Sequence, residues 1–246
     1  MSNPVGHNSI ISAAVILGTL LFFYAYYYFA HSGFLKNYIE KRTQYPQGEL
    51  LLFFAKKISG FLLLGIIPGI LYFLVLKHDF EEFGISFTAI KNNFVLILIL
   101  ILLISFILFI VQKLNTERNS LQINIAEWNG LFFLLNATGW VFYLAGYEFL
   151  FRGILLFECY SHFGFWPAVA INVAIYSAIH MVQGKDQAIG AIIFGTLACY
   201  FTLTRGTIII PFFMHISLSL VSDYLSIKLN HQLSFITQKN NNFRGI

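Results

Sequence analysis

Charge is scarce in this chain: 246 residues hold 15 Lys and Arg and 11 Asp and Glu, 11% in all, against 58% apolar side chains. Such scarcity excludes an ordinary soluble domain, and several apolar stretches are long enough to cross a bilayer. The stretches are nearly continuous, whereas a membrane barrel would show short alternating segments, so helices are expected. The small positive excess, formally +4, is scattered over short loops. That argues against nucleic acid and leaves anionic lipid headgroups as the simpler partner. Cysteine is nearly absent as well. Cys159 and Cys199 are too few, and too deep in apolar segments, for a disulfide framework, and read as small core residues. The opening MSNPVGHN lacks Lys and Arg, and no small-residue cleavage signature follows, which predicts a retained span rather than a removed signal peptide. Position 2 is not glycine, so myristoylation is not signalled.

What is present is about seven spans, near 9–30, 58–76, 94–111, 130–159, 165–182, 188–203 and 207–227. The chain is thus expected to be all-α and polytopic. Residues 1–124 would form N-terminal spans with charged loops, 125–227 a membrane core and 228–246 a polar, frayed tail. The fourth segment exceeds a simple crossing and must tilt, break or project from the membrane. The sixth, AIGAIIFGTLACYFTL, is short and glycine-containing, as suits a tightly packed helix. QYPQGE signals a loop, and KHDFEEFG a charged, partly interfacial connection. Lys36, Lys41, Arg42, Lys56, Lys57, Lys113, Arg118, Lys185, Lys228, Lys239 and Arg244 fall on one side, against Lys77, Lys91 and Arg205 on the other. The positive-inside rule therefore expects a cell-membrane protein with its N-terminus outside and its C-terminus in the cytoplasm.

Glu148, His180 and His215 sit where only apolar side chains belong, and such residues are costly there unless paired or functional. In GYEFLFRG, Glu148 and Arg152 are one turn apart and can pair, either locking a bundle or orienting a general base or metal ligand. YSAIHM places Tyr176 and His180 one turn apart, and FFMHISLS does the same for His215 and Ser219. Each histidine alone could be a satisfied core residue. Two of them converging with a carboxylate could hold zinc as Glu148, His180 and His215, or polarise a water without metal. HExxH occurs nowhere in the sequence. Asp223 lies near the face of His215 and Ser219 and is expected to approach the interface. Glu158 and His162 are expected at headgroup level, and Tyr24, Tyr26, Tyr27 and Tyr28 in an interfacial aromatic belt.

In order, GYEFLFRG, YSAIH and TRGTIIIPFFMHISLS resemble the core of the CAAX-processing and bacteriocin-immunity family of intramembrane proteases, which includes lysostaphin-resistance-protein-like members. The resemblance covers about residues 125–225. It implies a CAAX-protease-like helical core, with Glu148 at the second of two adjacent family glutamates and Arg152 and Gly153 at the arginine and glycine that follow. His180 with Tyr176 and His215 match the family's other positions. Two positions depart from the pattern: Tyr147 replaces the first glutamate and Ser219 the usual asparagine. A phenol does not ionise near neutrality and is a poor carboxylate base. The resemblance implies that the first glutamate, at whose position Tyr147 stands here, and the first histidine activate the water while the last histidine and asparagine meet the oxyanion. The first hypothesis is therefore an endopeptidase with a degenerate site, water held between Glu148 and His180 and the oxyanion met by His215 and Ser219. The alternative is a noncatalytic protein of the same fold that binds a peptide, lipid or protein partner, as in bacteriocin self-immunity. A proton-coupled transporter is a third class, against which no paired broken helices stand out. The sequence leaves substrate and oligomeric state open.

Overall fold

The computed structural model describes residues 4–76, 82–114, 121–123, 125–229 and 233–235. Within them, seven helical segments are long and apolar enough to cross a membrane: Ile10–Glu40, Gln47–Leu74, Thr88–Leu114, Gly130–Phe163, Phe165–Gln183, Lys185–Arg205 and Ile209–Leu229. The chain is an all-α, multi-pass helical bundle. Backbone polar groups satisfied within each segment make helices the form that such apolar runs can take in lipid.

The first span joins α1 (Pro4–His31) to the short α2 (Gly33–Glu40). The second runs from α3 (Gln47–Gly60) through a π-helical turn, Phe61–Ile66, into α4 (Ile67–Leu76), and the third is α5 (Phe87–Leu114). A short strand, β1 (Glu127–Trp128), precedes the fourth span, which passes from α6 (Gly130–Glu148) through a second π-helical turn, Phe149–Leu156, into α7 (Phe157–Phe163). Asn129 caps α6, its side-chain oxygen accepting from Phe132 N at 2.9 Å. Gly164, at φ 81, reverses the chain into α8 (Phe165–His180) and the 3₁₀ turn Met181–Gln183. The sixth and seventh spans are α9 (Lys185–Arg205) and α10 (Ile209–Leu229), and β2 (Ser234–Phe235) pairs in parallel with β1, Glu127 opposite Ser234.

The fourth span is the centre of the bundle, 72% of its apolar window being buried, against 11% for α5, which lies at the periphery against α10. Apolar side chains gain nothing by leaving lipid for protein, so close packing must hold such a centre. Glycine supplies it. A Cβ on Gly65 would stand 2.9 Å from Gly146 Cα, and one on Gly146 would stand 3.1 Å from Gly65 N and from Phe61 Cα. The second and fourth spans therefore touch backbone to backbone, beside both π-helical turns.

The structure revises several expectations. The second span starts at Gln47 rather than near 58, so Lys56 and Lys57 belong to a helix and not to a loop. The overlong fourth segment is one 34-residue span, broken in register by its π-helical turn. Glu158 is buried, accepting from Ser12 at 3.3 Å and lying 3.1 Å from His162 Nδ1, because α7 packs against α1 instead of reaching headgroups. Tyr24 and Tyr28 are exposed, but Tyr26 is buried against Tyr143. Cys159 and Cys199 are buried free thiols. Part of the second connection (77–81), the third (115–120) and most of the polar tail (230–232 and 236–246) lie outside the described residues, including Lys77, Arg118, Lys239 and Arg244.

Candidate active site

Glu148 is the last residue of α6 and Arg152 sits inside the π-helical turn that follows. A π turn contains an extra residue and leaves carbonyls without their α-helical partners, a geometry that recurs at functional sites. Here Asn172 of α8 fills part of that gap, its Nδ2 donating to Phe151 O at 2.6 Å while its Oδ1 accepts from Cys199 Sγ at 3.2 Å. Asn172 thus clamps the turn that carries Arg152, a role the sequence reading did not assign. A fully buried Asn among apolar residues was the available signal.

Glu148 and Arg152 are both fully buried, and Arg152 Nη1 stands 3.4 Å from Glu148 Oε2. The guanidinium also lies 4.4 Å from the centre of the Tyr176 ring, a cation–π contact that helps carry its charge out of water. The other carboxylate oxygen, Glu148 Oε1, accepts from His215 Nδ1 on α10 at 2.6 Å. Residues 67 positions apart therefore form one unit, Arg152–Glu148–His215. A carboxylate on Nδ1 fixes the proton there and leaves Nε2 as the basic nitrogen.

His180 follows the same logic with a weaker partner: its Nδ1 donates to Tyr176 O at 2.8 Å. Its ring packs on Tyr176 with centroids 4.4 Å apart. Tyr147, Tyr176, His180, His215 and Ser219 all line one cavity of about 490 Å³. Gln122, Gln183, Asp186 and Gln187 line it too, so it extends toward the connections that follow the third and fifth spans. Tyr147 stacks on Phe151 at 4.5 Å and meets His215 edge-on at 5.8 Å. Its buried hydroxyl has no hydrogen-bond partner among the described residues. Glu148 does not line this cavity. It lines an almost wholly apolar groove of about 540 Å³ between α4, α6 and α10.

Of the three residues expected to hold zinc, Glu148 and His215 meet in a direct hydrogen bond and His180 turns Nδ1 to its own helix. Among the described residues, no group of three or more His, Cys, Asp or Glu is placed to hold a metal ion.

Residues 129–221 match the family model described as type II CAAX prenyl endopeptidase Rce1-like. This stretch of the chain is similar to Rce1-like proteins. Every residue of the Arg152–Glu148–His215 unit lies within it, as do Tyr147, Tyr176, His180 and Ser219. No curated protein and no solved structure matches the chain. The match is to the CAAX-protease family as a whole, not to its lysostaphin-resistance-like members.

A second polar cluster, which the sequence reading did not assign, shares the cavity that His180 and His215 line, since Gln122, Trp140, Tyr143 and Asp223 line it as well. Asp223, expected near the interface, is buried and accepts from Trp140 Nε1 at 2.8 Å and Asn136 Nδ2 at 2.9 Å. Lys57 lies 3.1 Å from the centroid of the Trp140 ring and 4.3 Å from that of Tyr143, and donates to Gln122 Oε1 at 2.9 Å. The signal was in LLFFAKKISGFLLLG, where apolar residues flank the lysines on both sides.

Proposed function

We propose that the protein is an intramembrane endopeptidase in which His215, oriented by Glu148, is the general base. The observation that carries this reading is the 2.6 Å bond between Glu148 Oε1 and His215 Nδ1, made at the edge of a partly open cavity lined by both polar and apolar groups. It gives Glu148 an orienting role in place of the water-holding role expected from the sequence. His215 Nε2 takes a proton from a cavity water, and the resulting hydroxide adds to the scissile carbonyl carbon. The carbonyl oxygen becomes an oxyanion facing the hydroxyls of Tyr147 and Ser219, donors able to stabilise it. The proton then passes from His215 to the leaving nitrogen as the C–N bond breaks, giving a carboxylic acid and an amine. His180 faces the same water and positions it, and Arg152 balances the charge of Glu148.

The substrate under this reading is a membrane-associated peptide or protein, presented from the side of the connections after spans one, three and five. Charge asymmetry makes that side the cytoplasm. The noncatalytic alternative, binding of a peptide, lipid or protein partner as in bacteriocin self-immunity, is favoured by one observation: Tyr147 supplies no carboxylate where the family has its first glutamate.

The test is cleavage of a quenched membrane-peptide library by the purified protein in lipid bilayers, beside His215→Gln and His180→Ala. Turnover by the native chain and its loss in both variants is the expected result. Equal background in all three folded proteins would place the protein with the noncatalytic members. Turnover abolished by a chelator and restored by zinc would return Glu148, His180 and His215 to the role of ligands.

A further inference from the structure

A different pair of cavities, between α1, α3 and α8, matches a lipid in shape and charge. The first, about 380 Å³, is lined by Lys56, Lys57, His31, Gln122 and Gln183, with Glu49 the one acid among its lining residues. Gln122 and Gln183 lie beside the connections after the third and fifth spans, so the cavity faces that side of the bundle. Lys57 is buried and held in place by its aromatic neighbours and Gln122. Half-buried Lys56 and exposed His31 are the groups able to reach a ligand. His31 is itself fixed at the rim, its Nδ1 donating to Tyr27 O at 2.9 Å and its ring stacked on Tyr27 at 4.2 Å.

The second cavity is an apolar groove of about 340 Å³ between α1 and α8, lined by Leu20, Tyr24, Ala174, Ile175 and Ala178. It is continuous with the first, since Phe23, Tyr27, Ile179 and Val182 line both. From His31 to Leu20 the groove descends about 16 Å along α1 at ~1.5 Å per residue, roughly half the hydrocarbon thickness. A basic pocket between helices that opens into an apolar groove is how helical membrane proteins hold anionic lipids.

We propose that these two cavities bind one anionic glycerophospholipid, its phosphate at Lys56 and His31 and one acyl chain along the α1–α8 groove. Charge complementarity selects the headgroup. A choline would bring its own cation against Lys56, whereas a glycerol headgroup brings none. The site shares Gln122, Tyr143 and Gln183 with the cavity of the Rce1-like stretch, yet its existence does not depend on that stretch being hydrolytic.

The experiment is native mass spectrometry of the full chain in uncharged detergent micelles, titrated with dioleoylphosphatidylglycerol or dioleoylphosphatidylcholine. Inorganic phosphate and glycerophosphoglycerol serve as competitors without chains. One phosphatidylglycerol should be retained about tenfold more tightly than phosphatidylcholine, and Lys56→Gln should reduce that affinity about fivefold. Ala178→Trp, at an exposed position that can accept the bulk, should fill the groove and remove lipid binding while thermal unfolding stays unchanged. Equal retention of the two lipids, native affinity in both variants, or displacement of the lipid by inorganic phosphate at equal concentration would each overturn the proposal.

Discussion

The bundle buries two clusters of charge, and they differ in what their polar atoms are left to do. Around Asp223, Trp140 and Asn136 donate to the carboxylate, and the nearby Lys57 ammonium is enclosed by rings and Gln122. Around Glu148, the acid is equally buried and paired, but the groups beside it keep unspent capacity: the Tyr147 hydroxyl has no hydrogen-bond partner among the described residues and His215 turns its second nitrogen away from Glu148. A buried polar group with every bond made contributes rigidity. One with a bond unmade, facing a cavity, is available for chemistry. By that criterion the Asp223 cluster, although Asp223 and Trp140 also line the cavity, is expected to hold spans two, four and seven together, and the Glu148 cluster is the one proposed to act on a substrate.

The sharpest way to break the comparison is to remove one group from each. His215→Gln should cost about 10⁴-fold in turnover with little change in melting temperature, because it takes away the base and leaves the Glu148–Arg152 pair intact. Glu148→Gln is a less clean probe: it leaves Arg152 buried without its counter-charge, which costs about 3–5 kcal/mol of stability. Asp223→Ala should show the opposite pattern, a loss of about 3 kcal/mol read by thermal unfolding, with activity per folded molecule nearly unchanged. A turnover collapse in folded Asp223→Ala would mean that the two clusters are one catalytic unit. The glycine contact comes next. Gly146→Ala pushes a Cβ against the backbone of Phe61 and Gly65, atoms that cannot swing aside, and should cost about 2 kcal/mol by the same thermal measurement.

The two clusters also differ in how far they could be read from sequence. Seven spans were legible because the length of an apolar run is a local property, with two large boundary errors, the end of the first span at Glu40 rather than near 30 and the start of the second at Gln47 rather than near 58, of which the latter has a definite cause. Lys56 and Lys57 look like the end of a loop until Trp140 and Tyr143, from another span, are brought beside Lys57. Glu148 and His215 were legible as suspects because ionisable groups are rare in spans, and Arg152 because four residues separate it from Glu148. Their division of labour was not, since it depends on a contact across 67 positions. The π-helical turn was visible only as an excess of length, and Asp223 was misplaced because its two donors, Asn136 and Trp140, lie on α6 rather than on its own helix.

Tyr147 gives the finest test of the difference between the clusters. It occupies the position where the family resemblance expects a glutamate, and its phenol is fixed by the ring stack with Phe151 at 4.5 Å rather than by any hydrogen bond. Tyr147→Phe keeps that stack and removes one oxygen. If the hydroxyl meets the oxyanion, kcat should fall about thirtyfold, about 2 kcal/mol, while KM holds, because the bond forms only as charge develops on the substrate oxygen. Removing an unpartnered buried hydroxyl should leave stability level or slightly raised, which separates this outcome from a folding defect. A KM that rises with kcat unchanged would instead make the phenol a contact for the bound ground state, and the oxyanion would then rest on Ser219 alone.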